Sequence, residues 1–426
     1  MKDKSLNILK YILKQLARAT ISRYRPGVIG VTGSVGKTST KLAIAAVLGS
    51  DRNIRVSPGN FNNELGLPLT ILGDYKRVGG IFFWLAVVGG AIYRVVVKGK
   101  YPELLILEYG VDKAGDMKYL LDIVKPNIGV ITAIGDIPVH VEFFAGPEAV
   151  AREKSRLIEF LPAAGFAVLN HDDITVMGLK DRTRARVLKF GFGSGADVRI
   201  TNFENKMEGA KPLGIYFKLE YGGSFVPVRL DGVFGKAHAY AAAAGTCAGL
   251  IFGLNLVKIS EALKNFKPLA GRMTLVPGVK DTFIIDDSYN ASPMAMHAAL
   301  DTLKNLKAKR KVAVLGDMLE LGAYTEDAHS EMGRLAAKTV KVLITVGSRG
   351  KFIAEAARIN GLTKRDVLSF DTAEEARGVV QDILRKGDLV LVKASRAMRF
   401  EKIVEEIRLP DTLLSSSGQD AGFSSR

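Results

Sequence analysis

Short apolar runs alternate with longer helical stretches along most of this chain. Residues 28–32, 104–108, 128–132 and 166–170 are compact apolar segments of strand length. Helical patterns lie between several of them. A second series starts further on, with apolar runs at 283–287, 312–316, 342–346, 367–370 and 389–393. Such alternation predicts parallel sheets covered by helices. At the N-terminus Leu6, Leu9, Leu13 and Leu16 recur at helical spacing, with Lys2, Lys4, Lys10, Lys14 and Arg18 among them. Residues 1–26 are therefore expected to be one basic amphipathic helix, ended by Pro26 and Gly27. Residues 198–230 combine strand-like segments with turn glycines, which suggests a small antiparallel flap. An alanine-rich helix is expected over 237–250. Pro268-Leu269-Ala270-Gly271 reads as a linker and hinge. The expected organisation is a central domain over 27–270, a C-terminal domain over 271–409 and a tail over 410–426. That tail is rich in Ser and Gly with little to bury, and is expected to be disordered.

One stretch departs from the alternation. Residues 81–93, IFFWLAVVGGAIY, carry no charge, and Lys76, Arg77, Arg94, Lys98 and Lys100 flank them. The run is too short for a span of about 20 residues. Gly89-Gly90 is expected to break its helical character. The insert, taken as 76–100, reads either as a buried or interdomain contact or as an interfacial anchor on anionic lipid.

Composition narrows the class. A chain of 426 residues, 47% hydrophobic and 24% charged, suits two or three globular domains. A single cysteine, Cys247, rules out an internal disulfide and a cysteine-rich zinc site. A reducing compartment follows, and the expected location is cytoplasmic, at the inner face of the plasma membrane only on the anchor reading of the insert. Lys10 and Lys14 interrupt the apolar N-terminus, against a secretory signal. The net charge of +16 suits nucleic acid, anionic lipid or acidic substrates. No zinc finger, RNA-binding signature or basic-aromatic platform supports nucleic acid, so no nucleic-acid partner is expected.

The chemistry concentrates at Gly30-Val31-Thr32-Gly33-Ser34-Val35-Gly36-Lys37-Thr38. A strand leads in and a helix from Ser39 leads out, the setting of a phosphate-binding loop. Gly33 and Gly36 let backbone N–H groups approach phosphate oxygens, Lys37 brings charge to the terminal phosphates, and Thr38 offers a hydroxyl to Mg²⁺. Val31 stands where the general motif has its first glycine. The fold class expected is α/β, with a central P-loop ATPase-type parallel-sheet domain followed by a Rossmann-like C-terminal α/β domain. Glu108 closes a predicted strand, where a carboxylate can hold Mg²⁺ opposite Thr38. His140 reads as a metal ligand, a general base or an ordinary loop histidine. Lys154 by itself reads as a surface lysine.

The ordered set of motifs resembles the Mur ligases, which join amino acids and peptides to cell-wall precursors using ATP. The loop from Val31 to Thr38 is similar to their T-G-x-x-G-K-[ST] form. Asn60-Phe61-Asn62-Asn63-Glu64-Leu65-Gly66-Leu67-Pro68 is similar to their N-N-x-x-G-x-P motif. Gly271-Arg272-Met273, the run from Asp286 to Pro293, the run from Gly316 to Gly322, and Lys393-Ala394-Ser395-Arg396 complete the match over roughly 28–408. The D-D-S-Y-N-A and G-D-M-x-E-L-G runs are similar to the branch that adds D-alanyl-D-alanine to a muramyl tripeptide. The resemblance implies ATP and Mg²⁺ as cofactors and an acyl-phosphate route. It implies Glu108, His140, Thr38 and a carbamylated Lys154 on metal, with Lys37, His140 and Lys154 catalytic. It implies Gly33, Ser34, Gly36, Lys37, Thr38, Ser39, Arg272, Asp287 and Asn290 on the nucleotide. Asn62, Asn63, Lys393, Ser395 and Arg396 are then substrate-binding. The implied partners are a muramyl peptide and a D-amino acid or dipeptide.

Two departures are expected to matter. Only the basic helix precedes the loop, where the family has a UDP-sugar-gripping domain. The family's histidine-asparagine motif is here Gly235-Lys236-Ala237-His238-Ala239-Tyr240-Ala241, and Ala241 cannot make an amide contact. A ligase acting on a lipid-linked muropeptide or a folylpolyglutamate-type substrate is the alternative within the family. A nonhydrolysing nucleotide-binding scaffold and a nucleic-acid motor are the alternatives outside it. The joint retention of Lys37, Thr38, Glu108, His140 and Lys154 argues against the scaffold, and the lack of strand-tracking motifs against the motor.

Overall fold

The computed structural model describes residues 2–410. The tail expected over 410–426 lies, beyond Pro410, outside them. The chain forms two compact units. The first comprises residues 1–203, 216–230 and 236–267; the second comprises 204–215, 231–235 and the chain from 268 onward.

The first sheet is built from β1 (Gly27–Thr32), β2 (Ile54–Val56), β3 (Leu104–Glu108), β4 (Ile128–Ile131), β5 (Phe166–Asn170), β6 (Arg186–Gly191), β7 (Val198–Glu208), β8 (Lys211–Tyr221) and β9 (Ser224–Asp231). Its order is β2-β3-β1-β4-β5-β6-β7-β8-β9, parallel from β2 through to β7. Every residue of β3 and β4 is buried, which is why these strands read as unbroken apolar runs. The two-residue turns Gly209-Ala210 and Gly222-Gly223 join β7, β8 and β9. The expected flap is thus not a separate element. Phe190↔Val198 pairing ties it to the main sheet. Its alternating buried and exposed residues along β9 mark a sheet with one covered face.

The second unit carries a sheet of β10 (Thr274–Gly278), β11 (Thr282–Asp287), β12 (Lys311–Gly316), β13 (Val342–Val346), β14 (Val367–Phe370) and β15 (Leu389–Lys393), in the order β10-β11-β15-β12-β13-β14. Only β10 runs antiparallel. It, with β2 and β6, is a strand that the apolar pattern does not reveal: none of the three has an interior-length run of buried residues.

The N-terminal helix, α1 (Lys2–Tyr24), is present, but its apolar seam faces the protein. Leu13 and Ala17 are buried, with Leu9 and Leu16 beside them, in one core with Val28, Leu67, Leu105 and Leu121. Lys10 pairs with Glu64 at 2.6 Å, and Lys14 and Arg18 pair with Asp122. After α2 (Lys37–Leu48) and α3 (Gly66–Leu72), the apolar insert forms one helix, α4 (Ile81–Val96). It runs straight through Gly89-Gly90, so the expected break does not occur. Two helical glycines cost about 2 kcal/mol relative to alanine. Burial of Val87 and Ala91, and partial burial of Phe83 and Trp84 in the same core, offsets that.

Candidate active site

In the first unit, β1 delivers the chain into the glycine loop and α2 begins at Lys37. Gly33 has φ +145°, and a Cβ there would stand 2.0 Å from Thr132 Oγ1; Gly36 has φ +88°. Both positions need glycine for backbone reasons. The Ser34 N–H donates to Ala133 O at 2.6 Å, which fixes the loop against the end of β4. Lys37 Nζ donates to Gly33 O at 2.8 Å, so its ammonium curls over the loop it would serve. Ser39 and Thr40 follow, buried, in the first turn of α2.

Glu108 ends β3 and is 2% exposed. Three elements converge on its carboxylate. Thr38 Oγ1 donates to Oε2 at 3.1 Å, Lys41 Nζ lies 3.0 Å from the same oxygen, and Asn62 Nδ2 donates to Oε1 at 3.1 Å. Burial alone would raise this carboxyl, but the charges of Lys41 and Lys37 overcome it and hold the group below its ordinary value. Asn63 does a different job: its Oδ1 accepts from the Leu65 and Gly66 N–H groups at the start of α3. The structure therefore brings Asn62 to Glu108 and leaves Asn63 as a turn residue.

Lys154 sits on α6 (Pro147–Glu159), preceded in the chain by α5 (Asp116–Ile123). It is completely buried, and its Nζ has no hydrogen-bond partner. Burial, and then the positive charge of Lys37, lower its ammonium to about 7. An exposed surface lysine is thus not what the fold makes of it. The neighbouring Glu153 takes the Gly115 and Met117 N–H groups at 3.0 and 3.1 Å, pinning α6 to the start of α5. His140 has left-handed backbone, φ +67°, and its Nε2 lies 3.4 Å from Asp112 Oδ1. Asp112 also acts on the charge of Lys154. Lys37 acts on both Glu108 and Lys154, so these groups share one electrostatic site. His238 is buried on the helix Lys236–Ile251, its ring 6.1 Å from that of Phe266, and Ala241 is buried on the same helix.

The second unit gathers its own cluster. Lys393, at the end of β15, places Nζ 2.5 Å from Asp287 Oδ2 and donates to Asn290 O at 2.8 Å. Asp287 Oδ1 accepts from the Met273 N–H at 3.1 Å. Burial raises the Asp287 carboxyl despite Lys393. The guanidinium groups of Arg272 and Arg396 lie 4.2 and 5.2 Å from the Tyr289 ring. Ser395 Oγ accepts from the Leu319 N–H at 2.9 Å, tying the 316–322 motif to the 393–396 motif. Asp317 in turn takes the Arg349 and Gly350 N–H groups where a helix begins.

Lys41, Glu153 and Tyr289 are not among the expected site residues. Only Lys41 carries a sequence signal, as a second lysine one helical turn past Lys37. Among the described residues no group of three His, Cys, Asp or Glu could hold a metal ion. The donors at hand are mixed instead: the Thr38 hydroxyl, the Glu108 carboxylate, the His140 imidazole and the unpartnered Lys154 amine. Hydroxyl and carboxylate oxygens suit Mg²⁺.

The family model for the Mur ligase middle domain matches residues 31–248, and that for the Mur ligase glutamate ligase domain matches 271–396. The chain is 31% identical to the UDP-N-acetylmuramoyl-tripeptide–D-alanyl-D-alanine ligase of Bacillus subtilis, covering 93% of this chain and 79% of that protein. Among solved structures, MurF ligase from Thermotoga maritima in complex with ADP aligns with TM-score 0.77 at 28% identity, covering 93% and 83% of the two chains. MurF from Acinetobacter baumannii aligns with TM-score 0.74 at 26% identity, covering 93% and 80%.

Proposed function

The chain belongs to the Mur ligase family, and on that premise we propose that it is an ATP-dependent ligase of peptidoglycan-precursor synthesis. It joins D-alanyl-D-alanine, or a similar amine, to the carboxylate of a muramyl peptide. The carboxylate oxygen attacks the γ-phosphorus and ADP leaves. The amine nitrogen then attacks the acyl carbon, loses a proton, and the carbon–oxygen bond to phosphate breaks. The protein's task is positioning and charge neutralisation.

In this reading the N–H groups of 33–39 cradle the phosphates and Lys37 neutralises them. Thr38, Glu108, His140 and carbamylated Lys154 hold Mg²⁺, which supplies charge stabilisation at the transferring phosphoryl group. Arg272, Asp287 and Asn290 serve the nucleotide from the C-terminal domain, over 271–409. Arg396 serves the amine substrate, with Lys393 and Ser395 fixing the turns around it, and Asn62 serves the muramyl substrate, with Asn63 fixing the turn beside it. The observation that carries the reading is Lys154. A fully buried amine without a hydrogen-bond partner, its ammonium lowered to about 7, has its neutral form within reach near physiological pH. Only a neutral amine can add to CO₂, and the carbamate turns a cation into the anion that a metal needs.

A lipid-linked muropeptide is the second reading of the acceptor, favoured by α4. Ile81, Phe82, Leu85, Tyr93 and Val96 are all more than 60% exposed, and the helix contains no acid. Exposed Lys76, Arg77, Lys98 and Lys100 flank it. We place this face on the anionic inner surface of the membrane. No helix among the described residues is long and apolar enough to cross one. On α1, Lys10, Lys14 and Arg18 are paired with Glu64 and Asp122, and we assign the contact to α4.

The test is purified protein with ATP, Mg²⁺, D-alanyl-D-alanine and single amino acids, offered UDP-linked and lipid-linked muramyl peptides and a folate glutamate. Phosphate release and product mass are recorded. Amide product on a muramyl peptide is expected; extension of the folate alone overturns the reading. Salt-sensitive binding to anionic vesicles, weakened by Phe82→Glu, is expected of the α4 contact. Protein that stays in the supernatant at low salt with excess anionic lipid overturns it.

A further inference from the structure

Lys41 is an expensive side chain to bury, and its position explains why a lysine is there. Its side chain is 1% exposed, and its Nζ lies 3.0 Å from Glu108 Oε2 and donates to Gly59 O at 3.0 Å. A methionine of similar length would fill the space without desolvating a charge, so packing alone does not call for an ammonium. The oxygen it faces is the one that also takes the Thr38 hydroxyl. If Glu108 and Thr38 hold a divalent cation, that cation must work beside a fixed positive charge. Lys37 adds a second, since it acts on Glu108 as well. Around this single carboxylate the protein has placed two ammonium groups, one turn apart on α2.

We propose that Lys41 makes divalent-cation binding conditional on the polyphosphate. Against two lysines, the Glu108 carboxylate attracts a bare cation weakly, and a carbamate on Lys154 would at most balance the second lysine. A nucleotide's phosphates bring enough negative charge to reverse the balance, so metal and nucleotide enter together. Lys41 also keeps Glu108 aimed at Thr38 through its second bond to Gly59, which makes it a positioning residue for the loading step. The inference rests on the reading of Glu108 as a metal ligand.

Binding of Mn²⁺ to the full chain, followed by electron paramagnetic resonance without nucleotide and then with ADP, tests it. Wild type alone should bind Mn²⁺ weakly. Lys41→Met should bind it at least about tenfold more tightly without nucleotide, because one opposing charge is gone. Adding Glu108→Gln should abolish that gain. Equal affinity of wild type and Lys41→Met overturns this inference alone. If Lys41→Met does not fold, Lys41→Gln takes its place. Wild type decides independently of either: tight nucleotide-free Mn²⁺ binding that Glu108→Gln removes also overturns it. Unchanged Mn²⁺ binding with ADP in Glu108→Gln overturns the metal reading of Glu108 and this inference with it.

Discussion

Lys154 in the first unit and Lys393 in the second are both fully or almost fully buried, yet the fold treats them in opposite ways. Lys393 has a carboxylate at 2.5 Å and a carbonyl at 2.8 Å. Lys154 has no hydrogen-bond partner, and burial with the field of Lys37 brings it down to about 7. The cost of desolvation is common to both; the partner decides whether the charge survives it. One region buries a lysine without a hydrogen-bond partner and lowers its ammonium. The other gives its lysine two partners, and these bonds hold Asp287 and the turn at Asn290 in place.

The largest effect expected of any substitution lies next to the first lysine. Lys37→Ala and Glu108→Ala should each lower kcat/KM about a thousandfold or more, since phosphoryl transfer depends on fixed charge. Near-normal turnover in either variant would remove the site from the chemistry. Lys154→Ala should lose about a hundredfold, and a short carboxylate such as acetate should restore part of it by standing in for the carbamate. The same acetate should do nothing for Lys393→Met, and rescue of both variants alike would erase the contrast. ¹³C-labelled bicarbonate should give a carbamate carbon signal in wild type that Lys154→Ala lacks.

Lys393→Met should instead act on the fold. It strands the Asp287 carboxylate, at a cost of about 3 kcal/mol, read from urea unfolding at neutral pH. Asp287→Asn added to it should recover most of the loss, because the orphaned charge is what destabilises. The last effect is a slope. The Lys154 ammonium is lowered from an ordinary 10.5 to about 7, so between those values the unfolded chain binds the extra proton. Stability should therefore rise with pH across that window, by up to about 1.4 kcal/mol per pH unit, and fall as pH drops toward 7. Lys154→Met should flatten the slope. Urea unfolding at several pH values checks this, and an identical slope in both proteins would mean that the amine keeps its proton in the fold.

Much of the framework was legible because buried parallel strands leave continuous apolar runs, as in Leu104–Glu108 and Leu389–Lys393. β2, β6 and β10 escaped because they are only partly buried and carry no continuous apolar run of their own. The loop residues 33–38 were legible because backbone geometry restricts what can stand there. Asn63 was grouped with Asn62 by adjacency, whereas the fold gives one to a helix start and the other to Glu108.

What the sequence determined by itself is therefore the local part: the alternation of strands and helices, the phosphate loop, and an ordered set of motifs that identifies the family. Helical and strand periodicity and glycine sterics act within a few residues, so they are written into short windows. Only tertiary structure decided the electrostatic fates of the charged groups. Nothing near Lys154 in the chain says that its amine lacks a hydrogen-bond partner, and nothing near Lys41 says that it meets Glu108, 67 residues away in the numbering. Likewise α1, basic and amphipathic as a sequence, turns Leu9, Leu13 and Leu16 toward the core and pairs Lys10 and Lys14 with Glu64 and Asp122. Desolvation and charge pairing depend on what the rest of the chain brings within a few ångströms, and that is set by the packing of distant segments.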